Sequence, residues 1–450
     1  MPLLPTLPNE LWWNIIAHAI SLESNLAMIK PSSERLHPFF PGRFTGYGHP
    51  HFHASQLDIL RRSNMVAHSF VQVNRLWRGI AERFLYPAFY AKEEWRVKRF
   101  IDTVKLNPIL AKQLRTLIIT PRTWVVKEAR LRPLVEQVLS LCHGIVAIVT
   151  KPYFFSSLLP LFQFPDSSRR LLLLSATRLP SEEFLTLMIN FNNYANLQVL
   201  ELSVDVTGGY TLPSFPEHIT FPSLHTLILG DLDPLMGNAV GKWELPSLKD
   251  LSIAQWDPLI HSALLPLIQG SYDRLELFSA CVDILHDRAF YDIIRSTPLR
   301  LKNVTLNITP FEYSSPHMHP ATKPIFGHVV TFGISRFDEI WPEHRAAWVR
   351  FFSDRSYMPH LRSVLTDVTA STVAICVRSE LLLLDILLSF EEVLEARGVA
   401  FKGVTDDNSS FVPIKLLRRD ALKVSMSLFS NASTLIFSTA SHALHGNDER

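Results

Sequence analysis

The sequence predicts an α+β protein, with a small N-terminal bundle of helices followed by an irregular α/β solenoid of short repeats. Three observations predict it. Leu11, Ile15 and Ala19 recur every four residues, with Trp12, Ile16 and Ile20 beside them. That stripe is too wide for a lone surface helix and asks for burial on two sides. Val73, Leu76, Trp77, Ile80, Ala81 and Phe84 mark a second apolar helix face,. From residue 197 onward, Leu-x-x-Leu-x-Leu recurs with first positions 27, 24, 24 and 29 residues apart.

The first helix opens at Leu7-Pro8-Asn9-Glu10-Leu11. Pro8 suits a first helical turn, where a missing N–H costs nothing. Glu10 lies where a negative charge favours the positive end of the helix dipole. About 21–54 reads as a loop, because it holds Pro31, Pro38, Pro41, Pro50, Gly42, Gly46 and Gly48,. Ser55-Gln56-Leu57-Asp58 resembles a capping box,. A helix from about Leu57 to Phe70 is expected after it, then a third helix that Pro87 stops.

The repeat strands are Leu197-Gln-Val-Leu200-Glu-Leu202, Leu224-His-Thr-Leu227-Ile-Leu229 and Leu248-Lys-Asp-Leu251-Ser-Ile253. Tyr272-Asp-Arg-Leu275-Glu-Leu277 and Leu301-Lys-Asn-Val304-Thr-Leu306 continue the series. Backwards, Leu114-Arg-Thr-Leu117-Ile-Ile119 is clear. His143 with Val146 and Ile148, and Arg170 with Leu173, are degenerate copies. Forwards come Gly327-His-Val-Val330-Thr-Phe332 and Leu361-Arg-Ser-Val364. Each repeat is expected to give one short parallel strand and return by a helix or loop, with its Leu positions pointing inward onto its neighbours. Ser181–Tyr194 and His286–Ser296 are candidate return helices. Arg345–Asp354 and Glu380–Arg397 are further helices, the latter ended by Gly398. Val373–Val377 and Val399–Val404 are the last expected strands. The predicted domains are 1–95, 96–437 and a frayed polar tail, 438–450.

Side chains alternate along a strand, so the residues between the Leu positions should face the open side of the sheet. Glu201, Ser203, Ile228, Ser252, Glu276, Phe278 and Thr305 are the candidates there for contact with a protein substrate.

Composition narrows the function. The chain has 450 residues, 47% hydrophobic and 19% charged, which is rich in core-forming residues and not a disordered composition,. Forty-four basic and 42 acidic residues nearly balance, giving no reason to expect nucleic acid as the main partner,. Cys142, Cys281 and Cys376 form neither a metal spacing nor a disulfide framework, which suits a reducing compartment,. No signal peptide and no membrane span is expected. His49, His51 and His53 lack Cys or acidic companions at a telling spacing, so no metal and no cofactor is expected,. Gly237-Asn-Ala-Val-Gly241-Lys242-Trp243 is one residue short of a phosphate loop and has Trp243 where Ser or Thr should bind magnesium,. It reads as a loop between repeats. No nucleophile elbow occurs, and the chain is expected not to be an enzyme.

The Leu7–Leu11 entry, the Ile-rich helix and Val73-Asn74-Arg75-Leu76-Trp77 together resemble an F-box, over Leu7–Ile20 and about Leu57–Tyr90. The long interruption at about 21–54 departs from the family pattern. The later repeats resemble the leucine-rich repeats that often follow an F-box. They depart from the regular form, because Asp205, Leu232, Trp256, Ala280 and Thr309 stand where a turn-stabilising Asn is usual. The resemblance implies an F-box bundle ahead of a leucine-rich-repeat solenoid. It also implies a substrate-recognition subunit of a Skp–cullin–F-box ubiquitin ligase, cytoplasmic or nuclear. Leu7, Pro8, Leu11, Ile15, Ile16, Val73 and Trp77 would then bind the Skp-type adaptor and, through it, a cullin. Two other readings stay open: a repeat scaffold whose N-terminal helices only cap the array, and an enzyme whose site is assembled from distant loops.

Overall fold

Among the described residues helices and strands are interleaved along the chain from residue 75 to residue 281. The computed structural model describes residues 8–20, 65–119, 128–150, 171–179, 194–204, 218–230, 232, 234–253, 258–281, 303–307, 327–335, 345–366, 368, 373, 382–404 and 411–419. It divides into two compact units, Met1–Thr305 and Leu306–Arg450.

The first unit begins with α1 (Asn9–Ile20), a helical stretch at 65–71 and α2 (Arg75–Leu85). Pro8 stands just ahead of α1 rather than inside its first turn, and its carbonyl accepts from the N–H groups of Leu11 and Trp12. Asn74 caps α2, its Oδ1 accepting from the Trp77 N–H at 2.8 Å,. Pro87 follows directly and the chain turns into a strand.

Strands β1 (Ala88–Ala91), β2 (Thr116–Ile119), β3 (Ala147–Thr150) and β4 (Leu173–Leu179) pair in chain order. They continue through β5 (Val199–Val204), β6 (Thr226–Leu229), β7 (Asp250–Ile253) and β8 (Leu277–Cys281), and every pair is parallel. Parallel neighbours need crossover connections. Among the described residues five helices lie in those crossovers: α3 (Glu94–Leu106), α4 (Pro108–Gln113), α5 (Glu128–Leu141), α6 (Pro234–Gly241) and α7 (Pro258–Ser271). Helix α3 turns Val97, Phe100, Ile101 and Val104 inward at the i, i+3, i+4, i+7 spacing, and it packs on α5,. Helices α6 and α7 pack on each other. Residues 237–241, expected as a loop, are thus the last turn and more of α6.

One row across the sheet runs Leu117, Ile148, Leu174, Leu200, Leu227, Leu251 and Phe278, all buried. The opposite face is buried as well. Ala88, Ile118, Ala147, Val149, Leu173 and Val199 form a second apolar cluster there. Thr226 and Asp250 extend that face and are also buried.

These observations overturn the predicted α+β class, with an F-box bundle ahead of a leucine-rich-repeat solenoid. Helices and strands interleave instead of segregating, which makes the protein α/β. An open array leaves one sheet face in solvent; here an eight-stranded parallel sheet is buried on both faces, as mixed α/β proteins require. The strand β1 also falls inside the segment expected to be purely helical.

Three registers in the first unit differ from the sequence reading. Leu251 lies opposite Phe278, not Leu275. Leu200 lies opposite Leu174, not Leu173, which joins the second face. Odd slips of this kind exchange the two faces of a strand. Leu117 lies opposite Ile148 rather than Val146, an even slip that keeps the face.

The strand β9 (Asn303–Asn307) spans the boundary between the units. In the second unit β10 (Thr331–Ser335), β11 (Ser363–Thr366) and β12 (Ala400–Val404) are parallel, and β13 (Phe411–Pro413) runs antiparallel on β12. Phe332, not Val330, lies opposite Val364. Helix α8 (Arg345–Ser353) packs on α9 (Leu382–Ala396) through an aromatic cluster of Trp348, Phe351, Phe352 and Phe390. Arg397 donates to the carbonyls of Phe352 and Met358, tying the end of α9 to the loop after α8. Burial and the Arg355 charge pull the Arg397 pKa below its usual value. Gly398 ends α9 in the left-handed region, at φ 70°,. The expected helix at 181–194, apart from Tyr194, and the one at 286–296 lie outside the described residues, as do His49, His51, His53 and the tail; of the strand expected at 373–377 only Val373 is described, and it is helical.

Candidate functional site

The N-terminal helices sort their apolar side chains into two sets. Ile16, Ala67, Ile80 and Ala81 are buried together, with Trp12, Val66, Phe70 and Trp77 packed around them. The Trp12 and Trp77 rings lie 4.9 Å apart and tilted, and the Phe70 and Trp77 rings 5.3 Å apart and edge to face, as ring quadrupoles favour,. This inner set uses one side of each helix and accounts for why the three segments cohere.

The outer set is not needed for that packing. Leu11, Ile15 and Val73 are 46%, 47% and 55% exposed. Leu11 and Ile15 stand one turn apart on α1, and Pro8 is exposed at the head of the same stripe,. Trp13, Met65 and Leu76 are exposed as well. Six of the eleven large exposed apolar side chains of the described residues therefore come from these few helical turns. Isolated exposed apolar residues are ordinary, but a concentration of them marks an interaction surface.

Of the seven residues expected to contact an adaptor, Pro8, Leu11, Ile15 and Val73 are accessible. Trp77 is half-buried, its ring held between Trp12 and Phe70. Ile16 is fully buried and supports the helices from within. Leu7 lies outside the described residues. Sequence reasoning missed Trp13 and Met65, and it assigned Val73 and Leu76 to the buried face of the third helix, whereas both are exposed. Leu76 sits three residues after Val73, and that spacing could have found it.

The expected substrate-binding stripe has a different fate. Glu201, Ser203, Ile228 and Ser252 are buried, so they present no contact surface. The physical reason is the second apolar cluster, which makes this face part of the interior. Buried polar groups there are joined to one another: Thr226 Oγ1 donates to Asp250 Oδ2 at 3.0 Å, and His225 Nδ1 lies 2.9 Å from Thr226 Oγ1. Glu276 precedes β8 and pairs with Lys249 at 3.4 Å, half-buried. Phe278 is turned to the other face by the register. Thr305 lies on β9, and its side chain is outside the described set.

The chemistry of the described residues is sparse. No group of three or more His, Cys, Asp or Glu side chains among them could hold a metal ion. Cys142 is buried, and burial pushes its thiol up to about 12. Burial likewise raises the Tyr194 phenol. The Lys98 ammonium, bonded to Glu94 at 2.6 Å, lowers the Glu94 carboxyl below its ordinary value on an exposed helix. Among the described residues no helix is long and apolar enough to cross a membrane.

No family model matches the chain, and no curated protein is significantly similar to it.

Proposed function

We propose that this chain is the substrate-recognition subunit of a Skp–cullin–F-box ubiquitin ligase. It docks on the adaptor with the exposed apolar side chains of α1, the 65–71 turn and α2. The single observation supporting this is the division of labour in those helices: Trp12, Ile16, Trp77 and Ile80 hold them together, while Leu11, Ile15, Val73 and Leu76 are left outward. A partner that covered the outer set would remove apolar surface from water, at roughly 25 cal/mol per Å².

The chain is not itself an enzyme in this reading, and it works in the cytoplasm or nucleus. Its α/β body holds a protein substrate while the partner enzyme transfers ubiquitin to a nearby lysine. The rate gain comes from turning a bimolecular encounter into an effectively intramolecular one.

Co-purification with a Skp-type adaptor tests the reading, wild type beside the double variant Leu11→Asp/Ile15→Asp. Both positions are exposed, so the variant should keep the circular dichroism of wild type. The expected result is an adaptor complex with wild type and none with the variant. A folded wild type that brings down no adaptor would sink the proposal and favour a scaffold role.

A further inference from the structure

A second surface lies on α3 and α4, within the first unit. Trp95, Leu106 and Ile109 are 57%, 87% and 68% exposed. The core needs none of them, because α3 already buries Val97, Phe100, Ile101 and Val104, and α4 buries Ala111. Asn107 breaks the helix, and its side chain accepts from the Ile109 N–H at 3.3 Å with Pro108 at the first position of α4. That corner is what carries Leu106 and Ile109 out together. Along α3, Trp95, Arg99, Asp102 and Leu106 follow one another at spacings of four, three and four residues, so they share one face of the helix,.

The charges around this face are uneven. Glu93 is paired with Arg96 and Glu94 with Lys98. Arg99, Lys105 and Lys112 are exposed, and no carboxylate of the described residues pairs with them. Asp102 is the one carboxylate within the stripe. We infer that the α3–α4 surface docks an acidic amphipathic helix of a partner protein. Apolar side chains of that helix cover Trp95, Leu106 and Ile109, and its carboxylates meet Arg99, Lys105 and Lys112. Helix against helix fits the four-three-four spacing, and the unpaired cations specify the sign of the partner's flanks. The inference stands apart from the ligase reading, since it uses none of the adaptor-facing residues.

The probe is a labelled synthetic helix of about three heptads, Leu on one stripe and Glu at the flanking positions, titrated by fluorescence anisotropy into the full chain. Two exposed variants accompany wild type: Leu106→Asp/Ile109→Asp and Lys105→Glu/Lys112→Glu. Binding by wild type that falls roughly tenfold or more in each variant, and weakens with added salt, supports the surface. A matched helix with Lys at the flanks should not bind. Failure of the Glu helix to bind, or equal binding by the variants, overturns the proposal. So does binding only to vesicles containing phosphatidylserine, which would make this a lipid contact. The Leu106/Ile109 variant should still bring down the adaptor, so loss of one surface is read separately from loss of the other.

Discussion

The register of β8 gives the sharpest test of the fold. The repeat pattern in the sequence places Tyr272, Leu275 and Leu277 inward and Phe278 outward. The structure shifts the register three residues on, pairing Leu251 with Phe278 and Ile253 with Ala280, and so turns Phe278 inward. Phe278 is then 1% exposed and Tyr272 37% exposed. Removing a fully buried Phe costs the transfer energy of its ring plus that of the cavity left behind, about 3–5 kcal/mol. Trimming a side chain that already reaches solvent costs far less, about 0.5 kcal/mol. Phe278→Ala should therefore lower the urea midpoint of the first transition well below that of Tyr272→Ala, in proportion to ΔΔG divided by m. Far-UV circular dichroism of the full chain follows it. Equal midpoints, or a larger loss for Tyr272→Ala, would mean that β8 sits three residues away and that its faces are exchanged.

Two further expectations rest on local geometry. Gly241→Ala places a Cβ 1.9 Å from the Ala263 carbonyl oxygen and 3.0 Å from its carbon, so α6 and α7 must separate. Gly398→Ala meets nothing within 4 Å, and its cost is the left-handed backbone alone, about 1–2 kcal/mol,. Thermal unfolding should show the first as the more damaging; the reverse order would refute the close approach of α6 and α7. For Cys142, burial raises the folded thiol from 9.0 to about 12. The folded state therefore keeps its proton longer than the unfolded state does. This contribution to stability is complete below pH 9 and is lost as pH rises from there toward 12. Native Cys142 should resist a thiol-specific reagent at pH 8 and react once the chain is unfolded. Prompt labelling of the native thiol would contradict its burial.

The helical elements were legible because their signals are local. Trp12, Ile16 and the Val73–Phe84 pattern state which side of each helix is apolar. Pro87 then states where α2 ends, while its start at the Asn74 cap was seen only in the structure. The strands were legible for the same reason: 24- to 29-residue steps between Leu-rich hexads require parallel pairing with crossovers, and β5, β6 and β7 fall where those hexads stand,. Ala346, Ala347, Val349 and Arg350 likewise marked α8, and Gly398 the end of α9.

What local pattern could not decide is which face of a strand is covered, and by how much. Hexads such as Leu197–Leu202 and Leu275–Ala280 are apolar on both sides of the alternation, so period two selects no face, and a slip of one or three residues is invisible until a neighbour is paired. The candidate site divides in the same way. The resemblance to an F-box named Leu11, Ile15, Ile16 and Val73 alike, but only packing decided that Ile16 is buried while Ile15 is exposed. It named Glu201 and Ser252 from the alternation alone. Tertiary structure buried both, because the face that carries them also carries Ile118, Val149, Leu173 and Val199. Burial is a property of what lies opposite a side chain, and a one-dimensional pattern does not contain it. The chain by itself therefore marked α1, α2, α8, α9 and the parallel strands β5 to β7, whereas α3 to α7 and β1 emerged only in the folded structure. The folded structure alone decided which apolar residues became interior and which were left as surface for a partner.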